Sequence, residues 1–360
     1  MEVREVPSGW QKKRISDIAP LQRGFDLPVK ELKEGSYPVV YSNGIGYYHK
    51  FYKIKGPGVI TGRSGTIGTV HYIEENYWPH NTTLWVTDFK CNDPKYIYFL
   101  FSYIDIEQFA TGSGVPTLNR NDVHLFEALC PPFPEQQAIA EALSDVDAVV
   151  SSLTKLTNKK KSIMQGAMQE LLTGKKRLDG FSGDWDEIKL GMISKINTGK
   201  KNNDDKVPDG IYPFFVRSKQ IERIDTYSFD GEAIIIPGEG NIGEIFHYIN
   251  GKFDYHQRVY KISNFPTNIY AKYVFYYIAS FFGEYALKNT VKATVDSLRL
   301  PTFEEFIINV PKTIQEQTAI ASILSDMDAE IEALEQKLNK YKAIKQGMMH
   351  ELLTGRIRLV

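Results

Sequence analysis

The sequence contains Glu135-Gln-Gln-Ala-Ile-Ala-Glu-Ala-Leu-Ser-Asp-Val-Asp-Ala148 and, 181 residues later, Glu316-Gln-Thr-Ala-Ile-Ala-Ser-Ile-Leu-Ser-Asp-Met-Asp-Ala329. The same offset carries Gln165-Gly-Ala-Met-Gln-Glu-Leu-Leu-Thr-Gly174 onto Gln346-Gly-Met-Met-His-Glu-Leu-Leu-Thr-Gly355. Between residues 135 and 178, 25 of 44 aligned positions are identical, and the alignment needs no insertion. Internal repeats of this kind define an architecture before any single motif does. Because neither copy has gained or lost a residue relative to the other, we infer that the length of this segment matters to the protein.

Both copies of this segment have the periodicity of a helix. Apolar residues recur at spacings of three and four, which predicts helices over residues 135–172 and 315–353. Prolines at 131, 132 and 134 precede the first helix, and Gly174 and Gly355 follow the two helices as stop signals. The apolar positions of the first copy are Ile139, Leu143, Val146, Val149, Val150, Leu153, Leu156, Ile163 and Leu171. Those of the second are Ile320, Leu324, Met327, Ile331, Leu334, Leu338, Tyr341, Ile344 and Met348.

Each helix of about 38 residues forms a rod roughly 57 Å long. An amphipathic rod of that length needs a partner, and an equivalent apolar stripe exists in the same chain. We expect the two helices to pair as an antiparallel coiled coil with pseudo-twofold symmetry, because each follows one globular segment. The alternative is that each helix packs only on its own domain. The lysine run at 159–161 is interpreted as a solvated face, and Gly166 and Gly347 could admit a helix of a partner subunit.

The remaining segments predict two mixed α/β domains, so the expected fold class is α+β. Short Val/Ile/Tyr/Phe runs broken by Gly, Asn and Pro indicate strands, and aromatic helical stretches follow at 94–109 and 268–287. A weaker repeat relates Gly65-Thr-Ile-Gly68 to Gly240-Asn-Ile-Gly243 at an offset of 175, and His80-Asn81 to His256-Gln257 at 176. The predicted segments are a first domain at 1–133, a spacer helix at 134–179, a second domain at 180–312 and a second spacer helix at 313–360.

The composition predicts a folded protein of the cytoplasm without a membrane span. The 360 residues are 42% hydrophobic and 24% charged, which is typical of a chain that folds around buried cores. Two cysteines are too few for a disulfide framework, and the charged N-terminus lacks a secretory h-region, so we expect a cytoplasmic protein. No apolar stretch reaches the ~18 residues of a membrane span.

Charge excludes binding to DNA by bulk attraction. The net charge is -1, with 14 basic and 14 acidic residues in 1–133 and 16 and 17 in 180–312. Affinity for DNA would therefore depend on contacts to base edges and on help from partners.

Enzyme signatures are weak. Gly238-Glu-Gly-Asn-Ile-Gly243 matches GxGxxG, but a dinucleotide site needs a helix after the glycines, and the residues that follow alternate like a strand. We interpret this match as a glycine-rich hairpin. The seven histidines show no metal-ligand spacing, and no nucleophile set or methyltransferase motif is present. The expectation is a non-catalytic protein without a metal.

Over essentially its whole length the chain resembles the DNA-specificity (S) subunit of type I restriction-modification systems. The order of the motifs carries the resemblance, since none of them is diagnostic alone. They are Trp10, Ile15, Ile18, Gly24, Gly65-Thr-Ile-Gly68, Leu118, Pro131-Pro132, Glu135-Gln136, Ile139, Leu143 and Glu170-Leu-Leu-Thr-Gly174, with their second-half equivalents.

The resemblance implies a function and partners. Each globular domain would be a target recognition domain that reads one half-site of double-stranded DNA, and the helices would hold the two apart. Two modification subunits would bind S-adenosylmethionine and methylate adenine, and restriction subunits would use ATP with Mg²⁺. No cofactor is expected in this chain itself. A rod of ~57 Å bounds the separation of half-sites at roughly 17 base pairs.

Residue type and loop position predict which residues contact DNA, since Arg, Asn, Gln, Ser and Thr read base edges. Turn and cap chemistry is the competing explanation for any one of them. The candidates in the first domain are Ser42, Asn43, Arg63, Ser64, Thr66, His80, Asn81, Ser113, Thr117, Asn119 and Arg120. Those in the second are Lys200, Lys201, Arg217, Ser218, Lys219, Asn241 beside Glu239, Gln257, Arg258, Lys292, Thr294 and Arg299.

Two rival interpretations stay open at this point. The chain could be the specificity subunit of a related modification system that lacks a nuclease, and a gene neighbourhood without an ATP-dependent translocase would favour that. It could instead be a coiled-coil scaffold that binds protein. The scaffold hypothesis leaves the paired Gly-x-Ile-Gly hairpins unexplained.

Overall fold

The structure is a computed structural model, and it describes residues 6–112, 116–289 and 297–359. The chain divides into two compact units. Unit 1 comprises residues 1–154 and 336–360, and unit 2 comprises residues 155–335. Each unit thus holds one predicted globular segment and a part of both repeated helices. The segment boundaries given above follow the sequence repeat rather than this division, and they stay a prediction.

Among the described residues, unit 1 begins with eleven strands and three α-helices. In chain order they are β1 (Gln11–Arg14), α1 (Ile15–Ile18), β2 (Leu21–Arg23), β3 (Glu34–Tyr41), β4 (Gly44–His49), β5 (Gly58–Gly62), β6 (Val70–Ile73), β7 (Trp78–Pro79), β8 (Thr83–Val86), α2 (Pro94–Tyr103), β9 (Ala110–Thr111), β10 (Thr117–Leu118), α3 (Arg120–Leu125) and β11 (Glu127–Cys130). Strands β2-β8-β5-β6 form an antiparallel sheet, and β4-β3-β7 form a second sheet in which β3 and β7 are parallel. The Asp93 carboxylate caps α2 by accepting from Tyr96 N at 2.8 Å, with Pro94 at the first helical position.

Unit 2 repeats this plan with one larger sheet. After the long helix α4 (Phe133–Leu171) come β12 (Trp185–Lys189), α5 (Leu190–Ile193), β13 (Lys195–Thr198), β14 (Tyr212–Phe215), β15 (Glu222–Ile224), β16 (Phe229–Pro237), β17 (His247–Tyr255), β18 (Val259–Ser263), α6 (Ala271–Lys288), α7 (Leu300–Glu304), β19 (Ile307–Pro311) and α8 (Ile314–Leu353). The sheet order is β13-β18-β16-β17-β14-β15, and β12 pairs separately with β19. The mixed α+β class predicted from the sequence is confirmed.

The long helices match the predicted spans of 135–172 and 315–353 to within two residues at each end. Gly174 and Gly355 both have φ of 69°, the left-handed conformation that ends a helix and that glycine adopts without strain. In unit 1, Ile139 and Leu143 of α4 share a core with Leu352 of α8. Each helix therefore buries its stripe against a globular domain as well as against the other helix.

Ion pairs fix the direction of the helix pairing in each unit. In unit 2, Lys160 of α4 pairs with Glu330 of α8 at 2.7 Å, while Arg177, just beyond α4, pairs with Glu316 at the start of α8 at 2.7 Å. In unit 1, Asp147 pairs with Lys345, and Glu135 at the start of α4 pairs with Arg358 beyond α8. In both units, residues later in the sequence of α4 pair with residues earlier in the sequence of α8, so the pairing is antiparallel as predicted. The alternative that each helix packs only on its own domain is wrong.

The glycine-rich match lies in a hairpin, as the sequence predicted. Residues 238–246 connect the antiparallel strands β16 and β17. Strand β17 starts at His247, three residues later than the alternating pattern from Glu244 suggested. Ile242 and Ile245 are both buried, and this spacing of three belongs to a turn that packs on the core rather than to a strand. The turn lies against α6, since a Cβ on Gly243 would stand 2.6 Å from Gly283 Cα.

Candidate nucleic-acid interface

Four loop segments of unit 1 meet through their backbones. We call them surface 1: residues 42–43, 63–66, 80–82 and 117–119. Arg63 N donates to Thr82 O at 2.8 Å, and Leu118 N donates to Arg63 O at 2.8 Å. His80 N donates to Val40 O at 2.9 Å, which places the third segment beside the strand that leads into the turn at 42–43. Predicted contact residues that lie up to 77 positions apart in sequence are thus brought together.

Unit 2 builds the same framework from the equivalent segments, which we call surface 2: residues 217–219, 238–241, 256–258 and 297–299. Gly238 N donates to Arg258 O at 2.9 Å, and Leu298 N donates to Gly238 O at 2.8 Å. His256 N donates to Phe215 O at 2.9 Å. Each of these bonds has a counterpart in surface 1, so the two surfaces share a backbone arrangement. The side chains carried on it differ.

In each unit, a glycine allows a neighbouring chain segment to pass close to the backbone at or next to the histidine of the surface. A Cβ on Gly24 would stand 2.1 Å from His80 O, and a Cβ on Gly199 would stand 1.8 Å from Tyr255 O. Any side chain at either position would collide with backbone. Gly24 and Gly199 match at the same offset of 175 as the glycine-rich hairpins, and this close packing requires glycine at both positions.

The predicted residues of surface 1 differ in exposure. Asn43 and Thr66 are exposed, while Arg63 and Ser64 are half-buried. Ser42 is only 9% exposed, because it packs beside the glycines of the 62–65 loop. Thr117 pairs with Ser64 through a backbone bridge. Contact with DNA by these residues stays a prediction, and Ser42 has the least free surface to make it.

His80 is held by its neighbours rather than projecting freely. Its ring lies 4.4 Å from the ring of Tyr41, and its Nδ1 is 3.1 Å from Thr82 Oγ1. Burial lowers the pKa of His80, and the charge of Arg23 acts in the same direction against the opposing effect of Asp26. The imidazole is therefore neutral near pH 7.

Sequence reasoning missed two residues of this region. Asp26 accepts a hydrogen bond from Asn81 Nδ2 and pairs with Arg23 at 3.0 Å. Arg23 directly precedes Gly24 and Asp26 lies two residues after it, and no sequence motif marks either residue. Their proximity to Asn81 arises only because the chain at 23–26 runs beside residue 80.

In the last segment of each surface, the predicted contact residues lie at the start of a short helix, where capping the helix is the competing role. Asn119 is the N-cap of α3, and its side chain accepts from Asn121 N at 3.0 Å. Arg299 occupies the N-cap position of α7 in unit 2 and is exposed. Arg120 is exposed at the first turn of α3. Three further predicted residues, Ser113, Lys292 and Thr294, lie outside the described residues.

Surface 2 carries a charged cluster that surface 1 lacks. Glu239 Oε2 lies 3.3 Å from Arg217 Nη1, and Glu239 Oε1 lies 3.3 Å from Arg258 Nη1. His256 beneath them is 5% exposed and accepts from Arg258 N through Nδ1 at 2.9 Å. Burial lowers the pKa of His256, with the charges of Arg217 and Arg258 adding to the effect.

The other predicted residues of unit 2 surround this cluster. Gln257 donates to Asn202, and Lys201 lies 4.0 Å from Asp205, so sequence reasoning missed two partners there. Lys200, Lys219 and Asn241 are exposed. Ser218 Oγ donates to Gln220 O at 2.9 Å and is thereby partly engaged in its own turn. A cavity of about 430 Å³ opens beside these residues, lined by Asn203, Lys206, Val216, Arg217, Ser218, Glu222 and Gly240.

Residues 6–112, 116–289 and 297–359 contain neither a metal-binding cluster nor a membrane-spanning helix. No group of three or more His, Cys, Asp or Glu side chains there could hold a metal ion. No helix among these residues is both long enough and apolar enough to span a membrane.

Comparison with known proteins agrees with this architecture. The chain is 23% identical to the type I restriction enzyme MjaVIII specificity subunit of Methanocaldococcus jannaschii, over 98% of this chain and 94% of that protein. It is 28% identical to the EcoDI specificity subunit of Escherichia coli over 48% of this chain and 37% of that subunit. The crystal structure of the S subunit of a type I system from M. genitalium superposes with a TM-score of 0.76 at 17% identity, covering 96% of each chain.

A second solved chain, from a study of complex assembly in a type I system, gives a TM-score of 0.53 at 14% identity over 99% of this chain and all of that one. These two structural similarities establish the fold. The model of the type I restriction modification DNA specificity domain matches twice, over residues 7–163 and 182–343. The duplicated surfaces and the antiparallel helices thus belong to a recognised domain, and this chain is a member of the type I restriction-modification DNA specificity family.

Proposed function

We propose that this chain is the DNA-recognition subunit of a type I restriction-modification complex and that it reads a bipartite target in double-stranded DNA. Surface 1 reads one half-site and surface 2 reads the other, with an unread gap between them. The chain contributes recognition and no catalysis, as befits a specificity subunit.

The observation that carries the proposal is the repeated framework with unlike side chains. His80 and His256 begin matching turns, and the loops at 63–66 and 238–241 are held by matching backbone bonds. At matching positions, Asn81 stands against Gln257 and Thr66 against Asn241. Amide and hydroxyl side chains discriminate bases through their donor and acceptor patterns. A common scaffold with different readers is what an asymmetric two-part target requires.

Balanced charge implies that the chain works with partners. Phosphate contacts supply most of the sequence-independent affinity for DNA, and neither globular segment has a surplus of basic residues. The proposal includes two modification subunits that bind S-adenosylmethionine and methylate adenine. It also includes restriction subunits that use ATP and Mg²⁺, and a cytoplasmic location, where the DNA is.

Arg63→Ala is the first test. Since Arg63 lies in surface 1, we expect relaxed specificity at one position of the first half-site, by about 10- to 100-fold, and an unchanged second half-site. The measurement is mapping of methylated adenines in host DNA after the variant replaces the natural chain. Lys288→Ala on α6, whose side chain pairs with Glu284 at the exterior, is the matched control. A change confined to the second half-site would contradict the assignment of surface 1.

The presence of a nuclease is tested separately. A tagged full chain should co-purify with both a methyltransferase and an ATP-dependent translocase. Recovery of the methyltransferase alone, with a bipartite methylation motif, would support the related modification system that lacks a nuclease.

A further inference from the structure

Three positions of the shared framework differ as a set between the two units. The framework histidines, His80 and His256, donate their backbone N–H groups to Val40 O and Phe215 O. The first position lies two residues after the accepting residue, and it is Ser42 in unit 1 and Arg217 in unit 2. The second forms the bridge to the last loop segment, and it is Ser64 or Glu239. The third follows the histidine by two residues, and it is Thr82 or Arg258. Three hydroxyl side chains in unit 1 thus correspond to an Arg-Glu-Arg cluster in unit 2.

The geometry of the cluster leaves the two arginines available. The Glu239 side chain is 20% exposed, while those of Arg217 and Arg258 are 44% and 59% exposed. Each guanidinium directs one Nη1 at a different carboxylate oxygen, both at 3.3 Å. A guanidinium has five N–H donors, so most of each fork remains free to bind another acceptor pair. The carboxylate is the least exposed of the three groups and contacts both cations.

Electrostatics determines what such a cluster can bind. A lone carboxylate on a DNA-binding surface would repel the phosphates, but here two positive charges outweigh it. The buried His256 adds no charge, because its pKa is lowered by burial and by these arginines. Arginine donates in a bidentate manner to O6 and N7 of guanine, the commonest specific contact in the major groove. Holding the side chain in advance reduces the conformational entropy lost on binding.

We propose that Arg217 and Arg258 each read a guanine in the half-site of unit 2, and that Glu239 is the positioning residue that presents both guanidinium groups. This inference rests on the proposed function. It adds that the two half-sites are read by different chemistry, because the charged bidentate donors of unit 2 are replaced by small hydroxyl residues at the equivalent positions of unit 1.

The test is selection from a DNA duplex library randomised at both half-sites, using the complex that co-purifies with the tagged full chain. Arg217→Ala and Arg258→Ala should each lose about 10- to 100-fold preference for G·C at one position of the second half-site. Arg217→Lys keeps the charge but not the fork, so it should retain affinity and lose the same preference. Glu239→Gln should weaken the preference at both positions, and Glu239→Asp should restore part of it.

Controls separate the possible outcomes. Ser64→Ala should alter only the first half-site, and Lys288→Ala should alter neither. Thermal unfolding of each variant complex identifies any loss of structure. If an alanine variant unfolds, the base preference of the Arg217→Lys complex decides the test. Equal loss of binding to all sequences, with a reduced salt dependence, would mean phosphate contacts and would overturn the proposal. Relaxation at positions that are not G·C would also overturn it. If the unaltered complex selects no bipartite motif, the proposed function itself fails.

Discussion

At the scale of single residues, His80 and His256 connect protonation to the order of the turns that they begin. His256 accepts the backbone N–H of Arg258 through Nδ1, which an imidazolium cannot do because both of its nitrogens carry hydrogen. His80 makes the equivalent longer contact with Thr82 N at 3.4 Å. Burial lowers the pKa of both residues, so both stay neutral and able to accept near pH 7. Each histidine thus orders the turn that follows it, in the surface proposed to read DNA, while it is unprotonated.

The sign of the resulting pH dependence follows from the depressed pKa. Below the ordinary histidine value of about 6.5 the unfolded chain binds the proton more readily than the folded one, so the stabilisation is complete above that pH and is lost as pH falls. Protonation of His256 breaks the hydrogen bond from Arg258 N that orders the turn, so we expect binding of the target DNA to weaken as pH falls below 6.5, by about fivefold once the imidazole is charged, the worth of roughly one hydrogen bond. His256→Asn supplies an acceptor that does not titrate. Its binding, measured by fluorescence anisotropy, should change less with pH, and a profile identical to that of the unaltered chain would argue against this role.

Residue identity alone could not separate readers from structural side chains. Asn119 is a predicted base contact that also caps a helix, whereas Asp26, which no sequence signal indicates, accepts a hydrogen bond from Asn81. The residue types in loops are the same for both purposes, since Asn, Ser and Asp satisfy turns as readily as they bind bases. The structure adds the partner that each side chain has within the protein, which the sequence does not display.

At the scale of elements, a repeated buried ion pair closes each helix pair. Glu135, which is fully buried at the start of α4, accepts from Arg358 Nε at 2.6 Å and from Trp10 Nε1 at 2.9 Å. In unit 2, Glu316 accepts from Arg177 Nε at 2.7 Å, and the Arg177 guanidinium lies 5.5 Å from the ring of Trp185. Two parallel hydrogen bonds join each arginine to its glutamate. The segment after one long helix is thereby fixed to the start of the other.

Glu135→Gln should destabilise unit 1. Burial opposes the charge of Glu135, but hydrogen bonds from Arg358 and Trp10 outweigh it and lower the pKa, so its stabilising effect is present above about pH 4.5 and is lost in acid. Removing the charge leaves Arg358 without its ionic partner, and we expect the thermal midpoint at pH 7 to fall by about 5 °C. Circular dichroism measures this. Glu141→Gln on the exposed face of the same helix is the control, and an equal effect of the two substitutions would refute a special role for the buried pair.

Elements were the most predictable level of this structure. The spans of α4 and α8 and the hairpin at 238–246 followed from periodicity and glycine placement, which are local properties. Strand β17 began later than its alternation suggested, because the core takes up both Ile242 and Ile245. Tertiary packing sets such boundaries.

At the scale of the whole molecule, the length of the helices is expected to set the gap in the target. Each long helix contributes residues to both units, with the change near residue 154 in α4 and near 336 in α8. Deleting residues 152–158 together with 333–339 removes one heptad from each helix and keeps the apolar stripes in register. This shortens each helix by about 10 Å, equivalent to at most about three base pairs.

The deletion should therefore shorten the gap of the methylated motif and leave both half-sites unchanged. Mapping of modified adenines in host DNA measures both features at once. Deleting the heptad from α4 alone should abolish methylation, because the stripes no longer match. A double deletion that methylates the original motif with the original gap would exclude the helices as the spacer.

The sequence by itself determined the duplication, the two long helices and their stop glycines, the α+β class and the loops in which recognition residues would lie. These features depend on periodicity, spacing and turn chemistry, which a linear chain displays directly. The tertiary structure decided that each long helix pairs with the other rather than packing only on its own domain, that loops distant in sequence share one surface, and that Glu239 lies between Arg217 and Arg258. The physical reason is that these contacts join residues 19 to 170 positions apart, and only the packing of the cores brings such residues within hydrogen-bonding distance.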